Sequence, residues 1–255
     1  MPREGALITL NPNTKTETMS RTVKLDTETH EGMEIIIESD PHAENPRKFS
    51  TLGTLFVPGN DHLSDGEMRA SQTAKNFGGD AIKKEFMHKL VRRVYSDEEM
   101  IAREERHNVD LEAPTSYATF LSDLRDEREL EILEEMARER YEILPVYKYE
   151  HSGVALSTTP FRSSWDSGQI GWVFVSHEQI KENYAEEEID EDLRETAREL
   201  MKSNIDVFST WVAGEAVGFK VEDPEEGITV DSCWGFYDRE YAMERAKSSA
   251  ERIAE

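Results

Sequence analysis

Gln169-Ile170-Gly171-Trp172-Val173-Phe174-Val175-Ser176-His177-Glu178-Gln179 carries the change of period that decides the fold class. Alternation over 170–175 puts Trp172 and Phe174 on one face and Val173 and Val175 on the other, the period of a β-strand. Ser176-His177-Glu178-Gln179 has the Ser-x-x-Gln form of a capping box, which opens a helix to Tyr184.

Reading outward toward the C-terminus, Ile189, Leu193, Leu200, Phe208 and Trp211 mark a long amphipathic helix to Ala213. Gly214 is its C-cap. Strands follow at 215–221 and 228–234 around the turn Asp223-Pro224-Glu225-Glu226-Gly227, and a helix over 237–255 closes the chain. Toward the N-terminus, strands read at 143–149 and 153–158. Before them Ile82, Phe86, Leu90 and Val94 form a helical stripe, and Ser96-Asp97-Glu98-Glu99 restarts a helix. A third, highly charged helix covers 117–141. Strands at 33–38 and 52–57 precede this segment, and residues 1–32 read as a weakly ordered arm with a short strand at 6–10.

The order is ββ, a helical segment, then βββ-αα-ββ-α. Hairpin-length connections exclude parallel crossovers. The expected fold is α+β: one domain over 33–255, with a mixed or antiparallel sheet of about five to seven strands, flanking helices and a charged helical insertion over 79–142.

The 255 residues include 54 acidic and 30 basic side chains, a net charge of -24. That field disfavours binding to nucleic-acid phosphate, which needs a basic surface. The single cysteine, Cys233, excludes an internal disulfide and a Cys-rich zinc site. No apolar run is long enough to span a membrane. Met1-Pro2-Arg3-Glu4 lacks the start of a signal peptide, so the expected location is the cytoplasm of a host cell. Three readings of the acid excess stay open: adaptation to high salt, mimicry of nucleic acid, and plain solvated helix faces. Segments 79–142 and 176–206 each carry net -7, so the charge decorates helices and not a tail. The run Glu186-Glu187-Glu188-Ile189-Asp190-Glu191-Asp192 reads as a helix start, where acids favour the dipole.

The polar loops hold two candidate chemistries. In the first, Cys233 or Ser152 is a nucleophile, His151 its base, and Asp166 orients the histidine. The competing reading makes Cys233 a small buried apolar residue, His151 a turn residue and Asp166 an Asx-turn cap. In the second, Asp61, His62 and Asp65 hold a divalent ion; the competing reading is an acidic surface loop. The spacing is not that of an EF-hand, and there is no Walker loop, Rossmann fingerprint, His-Glu-x-x-His or Gly-x-Ser-x-Gly. No cofactor is expected.

Five short motifs carry a resemblance: Glu44-Asn45-Pro46-Arg47 with Leu52-Gly53-Thr54-Leu55; His151-Ser152-Gly153; Trp165-Asp166-Ser167-Gly168-Gln169-Ile170-Gly171; and Asp231-Ser232-Cys233-Trp234-Gly235-Phe236. In this order they resemble a family of uncharacterised proteins encoded by tailed phages, prophages and mobile elements, over about 33–67 and 143–240. The resemblance implies a viral or mobile-element setting and no particular chemistry. Together with the acid excess it implies a virus of a salt-loving host.

The expected function is an acidic interaction protein that binds a host defence or nucleic-acid-handling protein. Ser152, Trp165, Ser167, Gln169 and Trp234 are the expected contact residues beside His151 and Asp166. A hydrolase or nucleotide-processing enzyme using His151, Asp166 and Cys233, and a self-associating virion or assembly component, are the alternatives. The expected partner is a protein, with homo-oligomers left open and neither nucleic-acid phosphate nor a membrane.

Overall fold

A computed structural model of the chain describes residues 22–49, 51–60, 62–65, 68, 70, 71, 74, 75, 79–111, 127–163 and 165–254. These residues form eight strands and six helices, arranged as α+β with two antiparallel four-stranded sheets. Contacts cluster in two compact units, residues 44–215 and the chain on either side of them. The sequence reading drew a single domain and an insertion over 79–142. In the fold, the whole of 44–215 is inserted between two neighbouring strands of the other unit.

The outer unit is a meander of β1 (Lys24–His30), β2 (Met33–Ser39), β7 (Val217–Asp223) and β8 (Ile228–Phe236), in that spatial order. The last helix, α6 (Arg239–Ala254), crosses one face. Ile35, Ile37, Val217, Phe219 and Val221 pack there against Ala242, Ala246 and Ala250. Alanines at four-residue spacing keep that face of the helix flat, so the strands approach closely. β1 lies within the stretch read as a weakly ordered arm. Its side chains toward α6 are charged: Asp26 meets Arg239 at 2.9 Å, Glu28 meets Lys247 at 2.6 Å, and His30 meets Glu251 at 3.0 Å. The expected strand at 6–10 lies outside the described residues.

The inserted unit has three layers. Its sheet, in the order β3-β6-β4-β5, consists of β3 (Thr54–Phe56), β4 (Tyr141–Glu150), β5 (Val154–Ser157) and β6 (Ser167–Ser176). Helices α1 (Gly79–Val94), α2 (Asp97–His107) and α3 (Glu127–Arg138) cover one face, and α4 (His177–Tyr184) and α5 (Glu191–Ala213) the other. The expected helix over 117–141 appears as α3; residues 112–126 lie outside the described set. β6 alternates as its sequence dictates. Trp172 and Phe174 enter the core under α1, where the Phe86 ring stacks 4.7 Å from Trp172 and 5.3 Å from Phe56. Val173 and Val175 enter the core under α5, with Met201, Ile205 and Phe208.

The helix signals act as read. Ser96 and Ser176 each close a full capping box, and Gly214 ends α5 at φ +71°. Asp190 caps α5, so the acid run does open a helix, at its last residues. No helix among the described residues is long and apolar enough to cross a membrane.

One polar cluster ties α4 and α5 to the sheet. Glu142 of β4, 5 % exposed, faces α5. Its carboxylate accepts hydrogen bonds from Arg194 at 2.6 Å and Arg198 at 2.8 Å, and lies 3.1 Å from His177 Nε2. Burial pushes its pKa up, but the bonds from His177, Arg194 and Arg198 outweigh this and hold it down at about 2.

Two outcomes follow for stability. A Cβ on Gly171 would stand 2.0 Å from the Phe56 carbonyl oxygen, whereas one on Gly168 meets nothing within 4 Å. Gly171→Ala is therefore expected to cost about 3 kcal/mol in urea unfolding, from a clash that forces β3 off β6, with Gly168→Ala near neutral. The depressed pKa of Glu142 means that its contribution is complete above the ordinary carboxylate pKa of 4.5 and is lost as pH falls toward about 2. Glu142→Gln should cost roughly 2 kcal/mol at neutral pH and flatten the stability profile across that acid window.

Candidate functional site

The chain's unusual polar residues gather at one end of the inserted sheet. β4 and β5 form a hairpin with Glu150 opposite Val154, and His151-Ser152-Gly153 make the turn. The loop entering β6 returns beside it, with the Glu150 amide donating to the Asp166 carbonyl at 2.8 Å. That bond brings Asp166 next to His151, with 3.8 Å between Oδ2 and Nδ1. The distance is too long for a hydrogen bond, and both side chains are open to water, at 69 % and 39 % exposure. Ser152 is exposed in the same turn. The Ser167 hydroxyl donates to the Ser163 carbonyl, and the Gln169 amide donates to the Gly171 carbonyl at 3.3 Å. Phe161 stacks obliquely on Tyr149 at 5.6 Å and anchors the loop.

Trp165 stands apart from this packing at 95 % exposure. It rims a shallow groove of about 420 Å³ with Lys148, Glu150, Asp166 and Ile170. Lys148 and Ile170 also line a deeper cleft of about 560 Å³, whose other walls include Asn60, Asp80, Lys83, Gln169 and Trp172. A register shift after Val146 displaces this end of β4 from regular pairing. Lys148 pairs with Glu150, and Lys83 with Glu134, so the cations of the cleft are compensated.

The motif residues thus divide between the two units. His151, Ser152, Trp165, Asp166, Ser167 and Gln169 share one end of the inserted sheet. Cys233 and Trp234 lie on β8 of the outer unit. Cys233 is exposed, opposite Phe219; the expectation that it could be a buried apolar residue does not fit. Trp234 lies over Gly218, where a Cβ would come within 2.2 Å of the indole, and Lys220 Nζ sits 5.9 Å from its ring centroid. The catalytic set of His151, Asp166 and Cys233 is therefore not gathered within one unit, and no described Ser, Thr or Cys side chain hydrogen-bonds to His151.

Of the expected metal residues, Asp65 has other work. Asp65 accepts from Arg47 at 2.5 Å and 3.2 Å and from the Leu55 amide at 2.6 Å. Arg47 also donates to the Gly53 carbonyl at 2.7 Å. This clasp accounts for the Glu44–Arg47 and Leu52–Leu55 motifs as scaffold that sets the start of β3. His62 is exposed, its backbone amide bonded to the Asn60 side chain. Asp61 lies outside the described residues. Among the described residues no group of three or more His, Cys, Asp or Glu is placed to hold a metal.

Because Trp165 makes little contact with the fold, Trp165→Phe should leave stability within about 0.5 kcal/mol of wild type. It should also remove the most accessible component of the acrylamide-quenchable tryptophan fluorescence, since Trp165 is 95 % exposed against 39 % for Trp234 and 8 % for Trp172. A marked fall in melting temperature would show that the indole is packed.

No protein-family model, curated protein or solved structure matches the chain.

Proposed function

We propose that the chain is an acidic interaction protein of a virus or mobile element, and that it grips a host protein through the Trp165 end of the inserted unit. The observation that carries this reading is Trp165, 95 % exposed at the rim of a groove that continues into a cleft. An exposed indole holds apolar surface in water that burial against a partner would remove at a gain in free energy, and tryptophan is enriched among residues that dominate binding energy. The surrounding Lys148, Glu150, Asp166 and Ser167 supply the polar rim that such an anchor needs.

Net charge of -24 adds direction. It favours encounter with a basic partner and repels nucleic acid, which fits a host nucleic-acid-handling or defence protein better than DNA or RNA itself. The near approach of His151 and Asp166 favours a second reading, a hydrolase or nucleotide-processing enzyme. That reading needs a nucleophile beside His151.

Host lysate passed at native salt over immobilised wild-type chain and Trp165→Ala separates the two. A stoichiometric partner should be held by wild type and lost from the variant, with a purified partner binding about 30-fold more weakly. Equal capture by both would overturn the reading. So would turnover of a nucleotide or ester that His151→Ala abolishes.

A further inference from the structure

At the opposite end of the same sheet, where β3 and β4 begin and β6 ends, a second pocket of about 380 Å³ opens. Thr54, Arg93, Arg140, Tyr141, Phe174 and Glu178 are among its walls. Its chemistry differs from that of the Trp165 cleft. Lys148 and Lys83 there have carboxylate partners, as do Arg47, Arg92, Arg103, Arg194 and Arg198 elsewhere in the unit. Arg93 and Arg140 do not: among the described residues no carboxylate oxygen lies within 4.0 Å of either guanidinium. Arg106, Arg138 and Arg162 of the unit likewise have no carboxylate oxygen within 4.0 Å among the described residues, and Arg140 feels Glu139 and Glu99 at longer range; what sets Arg93 and Arg140 apart is that both line one pocket.

Both arginines are set by the fold. Arg93 projects from the last turn of α1. Arg140 occupies the turn before β4, its guanidinium 5.5 Å from the centre of the Tyr95 ring. Between them Tyr141 is 5 % exposed, and its hydroxyl makes no hydrogen bond among the described residues. Phe174, 2 % exposed, forms an apolar part of the wall. The arrangement offers two forked donors, a phenol and the Thr54 hydroxyl around one space. The fork of a guanidinium matches the oxygen spacing of a phosphate. Glu178 is the contrary charge: it opposes a bare anion and accepts from hydroxyl groups.

We propose that this pocket binds a small hydroxylated phosphomonoester, with the phosphate between Arg93 and Arg140 and the ligand's hydroxyls donating to Glu178. The site is independent of the Trp165 surface.

Calorimetric titration of the full chain with inorganic phosphate and with glycerol 3-phosphate tests this. Glycerol 3-phosphate should bind in the millimolar range or tighter. Arg93→Gln and Arg140→Gln should each weaken it about tenfold with circular dichroism at wild-type values; the melting temperature should hold in Arg93→Gln, whose side chain is exposed, and fall slightly in Arg140→Gln, which also loses its contact with Tyr95. Glu178→Gln should tighten inorganic phosphate and narrow the advantage of glycerol 3-phosphate over it. Absence of heat for glycerol 3-phosphate at about 10 mM overturns the site, as does binding that both arginine variants retain in full. Tightening of both ligands equally in Glu178→Gln overturns the hydroxyl contact.

Discussion

β6 has to bury both of its faces, and the inserted unit is built around that requirement. A strand reading Trp-Val-Phe-Val has no side that water tolerates. Each large apolar side chain gains roughly 1.5–3 kcal/mol on burial, so leaving either face bare would forfeit much of the unit's stability. Helices therefore stand on both sides, with aromatic rings under α1 and aliphatic groups under α5. Gly171 lets β3 close against β6 at the one point where a side chain would strike the Phe56 carbonyl. β3 and β4 then flank β6, and each end of this sheet carries a pocket among the described residues.

Local signals in the sequence translated well. The alternation over 170–175, both capping boxes, the extent of α4 and the glycine end of α5 follow from side chains within a few residues of each other. What escaped depended on distant partners. β2 and β7 are neighbours across the whole inserted unit, and nothing in either strand names the other. That is why two sheets of four were read as one sheet of five to seven. β1 escaped for a different reason. Lys-Leu-Asp-Thr-Glu-Thr-His has one apolar residue and no apolar period, because its helix side satisfies itself with charges from α6.

The site was legible to the same extent. His151, Trp165 and Asp166 sit in loops whose composition marks them, and the hairpin joins those loops. Asp65 looked like a metal ligand only because Arg47, eighteen positions away, was not visible as its partner. Arg93 and Arg140 carry no local signal in the sequence, because they are 47 positions apart and only the fold brings them to one pocket. Charge on the helices is mostly bookkept within them: Arg198 alone engages Glu142, Glu191 and Glu195. The exposed members of such networks contribute little each, and Glu142 is the exception because water is excluded from it.

The inserted topology also orders events during synthesis. β1 and β2 leave the ribosome before the inserted unit, but the strand that pairs with β2 begins only at Val217. By then all of residues 44–215 has emerged, with every strand and helix of its own three layers. The inner unit can thus collapse while the hairpin of β1 and β2 waits with one edge unpaired. That edge, which includes Ile35, Ile36 and Ile37, is an exposed aggregation hazard of the nascent chain until β7 emerges to pair with it.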